Sequence, residues 1–278
     1  MPTRFLSDEE IAKLKCTEIE ILDELDRVCR KNNLEYFMVG GTLLGSVRQK
    51  GFIPWDDDID VVMFRSDLDK LEKLYYNGEF GGNYFLQTEN TDKKYPLMTA
   101  KLRKNNTVFL EDCMDDNIAS HSGIFVDIFP IDDISDLDNP TVRKNAGKIS
   151  FLTTIICESC GYHYGVSTKV KLFAKVASMI GIERLKKVRN KLMTKENKRR
   201  FDNCTIYASN YGYIKQCRKR DVYSPHCDLE FEGKKYMAPC KYEDFLIQLF
   251  GANYMELPPI EKRITRHPIK KLILENKI

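Results

Sequence analysis

Residues 52–63 have the sequence FIPWDDDIDVVM, and this stretch decides both the fold and the chemistry of the chain. Its apolar second half favours a β-strand, and Asp58 and Asp60 point to one face of such a strand because side chains alternate. Asp56 has the same parity and lies close by. Carboxylates at this spacing repel one another, and a hard cation such as Mg²⁺ offsets that repulsion. The stretch predicts a divalent-metal site at a sheet edge; an exposed acidic turn after Pro54 is the alternative.

The preceding residues, YFMVGGTLLGSVRQKG at 36–51, predict a phosphate-binding turn. A short buried strand ends at the pair Gly40 and Gly41, and Thr42 is placed to cap the helix that follows. Glycines let the backbone approach a ligand closely, and the free N–H groups of a helix N-terminus attract anions. The spacing is not that of a P-loop. An ordinary tight turn is the alternative interpretation.

Together the two stretches resemble the LicD/fukutin-type branch of the nucleotidyltransferase-fold superfamily. That superfamily is marked by a hydrophobic residue and Gly-[Gly/Ser], then by Asp-hydrophobic-[Asp/Glu]-hydrophobic, then by a third acid on a later strand. In this chain Val39-Gly40-Gly41 matches the first element and Asp58-Ile59-Asp60-Val61 matches the second. The gap between them is longer than is usual in the superfamily, and LicD-like chains tolerate it.

Three further segments resemble the same family. GIFVDIFP at 123–130 is similar to the third-acid strand and puts that acid at Asp127. AKLRKNNTVFL at 100–110 is similar to a basic strand of the family. FGANYMELPPIEKRITRHP at 250–268 is similar to its C-terminal Tyr-Met-x-Leu-Pro-Pro segment.

Hydrophobic patterning and the resemblance together predict an α+β fold, in which a nucleotidyltransferase-like mixed sheet is flanked by helices. A capping box at Ser7–Glu10 begins a long N-terminal helix with its apolar residues on one stripe. A further helix is predicted from about Asp67 to Tyr76. We expect residues 1–140 to form the catalytic core and 141–278 a mostly helical region packed on it, in two domains or one. Strands are predicted near 36–39, 59–63, 84–87, 97–103, 107–110 and 124–129.

The composition is that of a soluble globular protein. The chain has 278 residues, of which 42% are hydrophobic and 31% charged. A net charge of +3 does not argue for nucleic acid. No apolar run reaches the length of a membrane span, and the N-terminus lacks the zones of a signal peptide. These features predict a cytoplasmic protein.

The nine cysteines are scattered along the chain. In a cytoplasmic protein most are expected to be reduced thiols. Cys157 and Cys160 have the spacing of a zinc ligand pair, but no second pair follows at zinc-ribbon distance. Cys217, His226, Cys227 and Cys240 form a looser set. Structural zinc is therefore the less favoured interpretation.

Residues 168–200 are strongly basic, with twelve Lys or Arg residues against Glu183 and Glu196. Apolar residues recur at helical spacing inside this stretch. A basic amphipathic helix can lie on an anionic membrane surface, which gives one hypothesis: peripheral contact with the inner face of the membrane. A helix that packs on the core with a solvated outer face is the alternative.

The resemblance implies a magnesium-dependent enzyme, with Mn²⁺ as an alternative ion, and gives each candidate residue a role. Asp58 and Asp60 hold one or two metal ions with Asp56 nearby, and Asp127 completes the site or accepts the proton of an acceptor hydroxyl. The glycine pair and Thr42 cradle phosphate. Four basic residues either stabilise charge on the transferring group or are surface charges: Arg48, Lys50, Lys101 and Arg103.

The resemblance further implies transfer of a phospho-alcohol, most often phosphocholine, from a CDP-activated donor to a sugar. The acceptor is then a cell-surface glycan, such as teichoic acid or lipopolysaccharide, or its lipid-linked precursor. Aromatic rings bind the quaternary ammonium of choline, and Trp55 beside the acids is the first candidate, followed by Tyr84 and Tyr95. Two other functions stay open. One is transfer of NMP to a sugar phosphate, small molecule or protein with release of pyrophosphate; the other is a non-catalytic module.

Overall fold

A computed structural model describes residues 1–263 and 268–274 of the chain, and a mixed β-sheet lies at its centre. The strands of the described chain are β1 (Phe37–Met38), β2 (Asp60–Phe64), β3 (Tyr84–Gln87), β4 (Ala100–Lys104), β5 (Val108–Glu111), β6 (Phe125–Ile134), β7 (Asn203–Thr205), β8 (Arg218–Lys219), β9 (His226–Phe231), β10 (Lys234–Pro239) and β11 (Ile269–Ile273). The α-helices of the described chain are α1 (Asp8–Lys31), α2 (Gly40–Gln49), α3 (Arg65–Tyr76), α4 (Pro140–Ser159), α5 (Thr168–Ile180), α6 (Ile182–Met193) and α7 (Tyr242–Phe250).

The main sheet has the strand order β1-β2-β6-β4-β3. Strands β2 and β6 are parallel, and the other neighbours along this path are antiparallel. The ten-residue β6 is the longest strand, and its last residues also pair with β7. Two smaller ladders, β9 with β10 and β5 with β11, complete the β-structure. The α+β fold class predicted from the sequence is confirmed.

Helix α1 covers one face of the sheet and packs against β4 and β6. Its capping box forms as predicted, because the Ser7 hydroxyl accepts from the N–H of Glu10 while the Glu10 carboxylate accepts from the N–H of Ser7. The apolar stripe from Leu14 to Val28 is fully buried. Helix α1 therefore closes the core behind the strands that carry the acids.

The predicted strands up to residue 134 and the helix near 67–76 are confirmed within a few residues. The C-terminal half departs from the mostly helical prediction after Met193. The polar stretch at 203–240 forms short strands, because β7 extends the main sheet and β9 and β10 make a hairpin. Strand β11 also returns to pair with β5. The division at residue 140 stays a prediction, although two strand pairings, β6 with β7 and β5 with β11, cross it.

Helix α6 is anchored by buried cations that bind the connection between β3 and β4. Arg189 donates to the carbonyl of Pro96 at 2.8 Å and pairs with the Glu89 carboxylate. Lys186 donates to the carbonyl of Lys93 at 2.6 Å. Buried charges are tolerated when they are paired and hydrogen-bonded. These contacts fix the segment just before β4 against the helical region.

His121, in the connection between β5 and β6, is held as a neutral ring. It stacks on Phe85 with the ring centroids 4.8 Å apart. Its Nδ1 accepts from the N–H of Gly123 at 3.1 Å, and its Nε2 pairs with Oδ1 of Asn105 at 3.0 Å. Burial and the positive charge of Arg103 lower the pKa of His121 to about 4.

We predict that His121 makes the fold sensitive to acid. The unfolded histidine has a pKa near 6.5, so it takes up a proton before the folded one does. The stability that the neutral ring contributes is complete above pH 6.5 and is lost as the pH falls towards 4. With an allowance for its partial exposure, the loss is roughly 1–2 kcal/mol. Urea unfolding of the wild type and of His121→Gln between these pH values measures it.

His163 is the matched control, because its pKa is raised by its hydrogen bond to Glu158 and further by Asp115. The stability that His163 contributes is fully present below the pKa that it has in the unfolded chain, and is lost as the pH rises through its pKa in the folded protein. His163→Gln should therefore remove a pH dependence of the unfolding free energy whose sign is opposite to that of His121. Parallel stability curves for the wild type and His121→Gln would contradict the assignment.

Candidate active site

Asp60 and Asp127 are brought together by the one parallel pairing of the main sheet. They are register partners on β2 and β6, and neighbouring strands lie about 4.8 Å apart. Asp60 is the first residue of β2, so Asp58 precedes the strand. All three acids nevertheless line one cavity. The structure therefore places the three predicted acids on a shared site.

The cavity has a volume of about 960 Å³, which is within the usual range for small-molecule sites. It lies between the N-terminal ends of β2 and β6, which carry Asp60 and Asp127, and helix α4. Its walls combine acids, a buried lysine, aromatic rings and hydroxyl groups. The acidic and basic lining residues are Glu18, Asp57, Asp58, Asp60, Lys101, Glu111, Asp112 and Asp127.

The glycine pair lies against Asp60 and Asp56, and neither the glycines nor Asp56 line the cavity. Helix α2 begins at Gly40, which has φ +58°, and a Cβ there would meet Asp60 Oδ2 at 3.4 Å. A Cβ on Gly41 would clash with the Asp56 carboxylate. The N-terminus of α2 thus lies against carboxylates, which its dipole stabilises. Neither glycine lines the cavity.

Thr42 is not the helix cap that the sequence suggested. The N-cap position of α2 is Val39, and it makes no side-chain capping bond. Thr42 lies inside the first turn, and its hydroxyl accepts from the backbone N–H of Asp60 at 2.9 Å. The prediction was wrong because the helix starts at the glycines. The hydroxyl instead fixes the start of the strand that carries Asp60.

Of the four basic candidates, Lys101 reaches the acids. It is buried on β4, its Nζ lies 2.9 Å from Asp127 Oδ2, and it sits 3.2 Å from the centroid of the Phe125 ring. Arg103 is on the same strand face but does not line the cavity. It is fully buried and donates to Gln87 Oε1 at 2.5 Å and to the carbonyl of Gly123. The structure gives Arg103 a packing role.

Arg48, Lys50 and Trp55 lie away from the cavity lining. Lys50 ends α2 in the left-handed conformation and pairs with Glu230 at 3.0 Å. The guanidinium of Arg48 lies 5.9 Å from the Trp55 ring centroid and that of Arg263 lies 5.4 Å from it. Burial and Arg263 lower the pKa of Arg48. A ring already contacted by two cations is a poor site for a third.

Glu18 is a site residue that we did not predict. It belongs to the buried stripe of α1, only 4% exposed, and it lines the cavity beside Asp57 and Asp58. Its Oε2 is buried and has no hydrogen-bond partner among the described residues. The signal was visible in the sequence, because Glu18 occupies the position between Leu14 and Ile21 where the apolar period requires a hydrophobic residue.

Burial, and then repulsion between neighbouring carboxylates, governs the electrostatics of the site. Burial, then Asp58 and Asp127, raise the pKa of Asp60 well above its usual range. Burial, then Asp58 and Asp57, do the same to the pKa of Glu18. Crowded carboxylates that cost stability are typical of sites that gain a cation.

The residues fit a hard divalent cation in their chemistry, because carboxylate oxygens are the ligands that Mg²⁺ prefers. Their geometry is more open than a finished metal cage. Across 1–263 and 268–274, no three His, Cys, Asp or Glu side chains converge closely enough to hold an ion. The ammonium of Lys101 supplies the positive charge beside Asp127.

The aromatic wall of the cavity comes from residues that the sequence did not single out. Tyr207 and Tyr213 stack with their ring centroids 6.1 Å apart and an interplanar angle of 26°. Neither Tyr84 nor Tyr95 lines the cavity: the Tyr84 hydroxyl bonds Glu20 and the buried Tyr95 hydroxyl bonds Thr99. The six aromatic lining residues are Phe109, Phe125, Phe129, Tyr164, Tyr207 and Tyr213.

Fold and site together define an α+β protein with an acid-lined cavity at the start of two parallel strands. Residues 33–151 match the model of the LicD/FKTN/FKRP nucleotidyltransferase domain. The chain is 28% identical over 262 residues to the lipopolysaccharide cholinephosphotransferase LicD of Haemophilus influenzae, covering 92% of this chain and 95% of that protein. An uncharacterised protein of Rickettsia prowazekii is 26% identical over 141 residues, 45% of this chain and 51% of the relative. Residues 33–151 are thus similar to a LicD-type nucleotidyltransferase domain, and the whole chain is similar to a LicD protein over most of its length.

The matched range 33–151 contains the glycine pair and all three acids. It excludes Glu18 on α1 and the tyrosine pair near 207–213, although the structure brings both to the cavity. The C-terminal family-like segment at 250–268 is described only in part, since residues 264–267 lie outside the described residues.

We predict that the acid cluster lowers stability in the absence of metal. Asp60→Asn removes one charge from a crowded, enclosed site without changing its shape, and should raise the free energy of unfolding by about 1 kcal/mol at pH 8. Urea titration in a chelating buffer measures it. Asp138→Asn, whose side chain is 85% exposed, is the matched control and should change little. A loss of stability in Asp60→Asn would contradict the interpretation.

Proposed function

We propose that this protein transfers a phospho-alcohol group, with phosphocholine the first choice, from a CDP-activated donor to a sugar hydroxyl. The acceptor in this proposal is a cell-surface glycan or its lipid-linked precursor. The observation that carries it is the convergence of Asp58, Asp60 and Asp127 on one cavity beside Lys101. Similarity to a lipopolysaccharide cholinephosphotransferase over 92% of the chain supports the choice of reaction.

In the proposed reaction the acceptor hydroxyl oxygen forms a bond to the phosphorus that carries the alcohol. The bond from that phosphorus to the bridging oxygen breaks, and CMP leaves with the bond's electrons. Asp127 lines the cavity and is our candidate to accept the hydroxyl proton, because a carboxylate can act as a general base. Lys101 stabilises negative charge that develops beside it.

Asp58 and Asp60, with Asp127 and Asp56 nearby, are the residues that would hold Mg²⁺ or Mn²⁺. When bound, the ion would neutralise the diphosphate and stabilise charge on the transferring group. Thr42 orders the backbone at Asp60 through its hydrogen bond. The glycine pair leaves room for the Asp56 and Asp60 carboxylates at the helix N-terminus. This arrangement keeps the acids in position before any substrate binds.

We predict that the purified protein releases CMP from CDP-choline when Mg²⁺ and a glycan acceptor are present. Asp58→Ala and Asp60→Ala should each lower turnover by at least about a thousandfold, because both remove charge from the reacting centre. Circular dichroism verifies that the variants remain folded. Asp138→Ala, which removes an exposed carboxylate, is the matched control with wild-type turnover.

The products distinguish this reaction from the alternative. Release of pyrophosphate from a nucleoside triphosphate, without release of CMP from CDP-alcohols, would identify a nucleotidyltransferase. Wild-type turnover in Asp60→Ala would falsify the site assignment for either reaction. Parallel assays with CDP-choline, CDP-ribitol and CDP-glycerol identify the head group.

We further propose that the head group of the donor contacts the stacked rings of Tyr207 and Tyr213, and not Trp55. A quaternary ammonium is attracted to aromatic faces, and Glu111 and Asp112 add negative charge to the lining of the same cavity. The Trp55 ring is contacted by Arg48 and Arg263 instead.

Tyr213→Leu should raise KM for CDP-choline roughly tenfold, the amount expected for loss of one desolvated cation–π contact. KM for CDP-glycerol, which carries no quaternary ammonium, should rise much less. Steady-state kinetics with both donors measures the ratio. Trp55→Leu is the control and should leave that ratio unchanged. A preserved ratio in Tyr213→Leu, or a shifted one in Trp55→Leu, would contradict the assignment.

A further inference from the structure

Helix α5 turns its small residues inward and its large apolar residues outward. Ala174 and Ala177 are buried against α4, near Ile155. The side chains on the opposite side are all exposed, although they are the most hydrophobic of the helix. They form what we call the α5 face: Leu172 (65% exposed), Phe173 (55%), Val176 (48%), Met179 (86%) and Ile180 (53%).

This arrangement argues against one of the two sequence interpretations of the basic stretch, a helix packed on the core with a solvated outer face. A helix with a solvated outer face should expose polar residues, yet the outer side of α5 is apolar. Single exposed hydrophobic residues need no explanation, but a contiguous group of five on one helix indicates an interaction surface. Their spacing of three and four residues keeps them on one side of the helix.

Exposed lysines surround the α5 face. Lys169, Lys171 and Lys175 project from the same helix. Exposed basic residues continue along α6 and beyond it, whereas Lys186 and Arg189 point inward. Apolar side chains with flanking lysines match an anionic lipid surface, where the rings and chains enter the acyl boundary and the lysines meet phosphates. The further exposed basic residues are Arg184, Lys187, Lys191, Lys195, Lys198, Arg199 and Arg200.

The α5 face is connected to the wall of the cavity. Phe173 contacts Phe151 of α4 edge-to-face, with ring centroids 6.0 Å apart, and Phe151 is itself exposed. Ser150 and Thr154, on the same helix as Phe151, line the cavity. The apolar surface and the acid-lined site are thus two sides of helix α4.

We propose that the α5 face docks this protein on an anionic membrane surface. A second copy is the poorer occupant, because two such faces would bring their lysines together. No helix among residues 1–263 and 268–274 is long and apolar enough to cross a membrane. The contact is therefore peripheral, through one helix lying in the plane of the interface. It goes beyond the proposed function and is testable without any turnover.

The test is flotation of the full-length protein with vesicles of phosphatidylcholine alone or mixed with phosphatidylglycerol. We expect binding to the mixed vesicles and weak binding to the neutral ones. Phe173→Ser/Met179→Ser should lower the bound fraction about fivefold or more, since both apolar anchors are lost. Lys171→Glu/Lys175→Glu should abolish the preference for anionic lipid.

Matched controls remove similar groups elsewhere. Tyr76→Ser/Ile247→Ser changes one exposed aromatic and one exposed aliphatic residue on other helices, and Lys73→Glu/Lys235→Glu reverses two exposed lysines away from α5. Both should bind as the wild type does. Failure of the wild type to bind mixed vesicles, or unchanged binding of Phe173→Ser/Met179→Ser, would overturn the proposal.

Light scattering after gel filtration tests whether a second copy of the chain covers the α5 face instead. A wild-type dimer that Phe173→Ser/Met179→Ser converts to a monomer would show self-association through this face and would also overturn the membrane proposal. Turnover with a water-soluble glycan acceptor should not change in these variants. Loss of membrane binding and failure of the proposed reaction are therefore distinguishable.

Discussion

The structure depends on negative charge that is crowded at one end of two parallel strands and only partly neutralised. Asp60 and Asp127 are neighbours because β2 and β6 pair in parallel register. Lys101 supplies one buried counter-charge at 2.9 Å. The dipole of α2 supplies a further partial one at Gly40 and Gly41. Burial first, and then the repulsion that these groups leave uncompensated, raises the pKa of Asp60.

That constraint explains why the fold closes around the acids so thoroughly. The backbone at Asp60 is tied to the Thr42 hydroxyl, and the two glycines exclude side chains where carboxylates lie. Helix α1 adds Glu18 from behind. An arrangement that costs stability persists only when the surrounding structure determines it. The scaffold therefore holds the acids close together at the cavity wall, a geometry that local repulsion alone would undo.

The sequence predicted the elements that rest on local patterns. Apolar runs predicted the strands of the main sheet up to residue 134, and the capping box predicted the start of α1. The three acids came from a motif that spans two strands, and their convergence followed once those strands paired. The sequence did not show that Arg103 and Trp55 lie outside the cavity lining, because their contacts come from other segments of the chain. Arg103 is fixed by Gln87 and Gly123, and Trp55 is contacted by Arg263 from near the C-terminus.

Glu18 shows that part of the remainder was accessible from the sequence. A charged residue inside the apolar stripe of α1 has no reason to be buried unless something on the other side requires it. Tyr207 and Tyr213 gave no comparable signal, because a polar, aromatic-rich segment can form a loop anywhere on a surface. Only the pairing of β7 with the end of β6 brings that segment to the cavity. Local periodicity thus identifies residues that are out of place, and tertiary pairing is needed to identify residues that become neighbours.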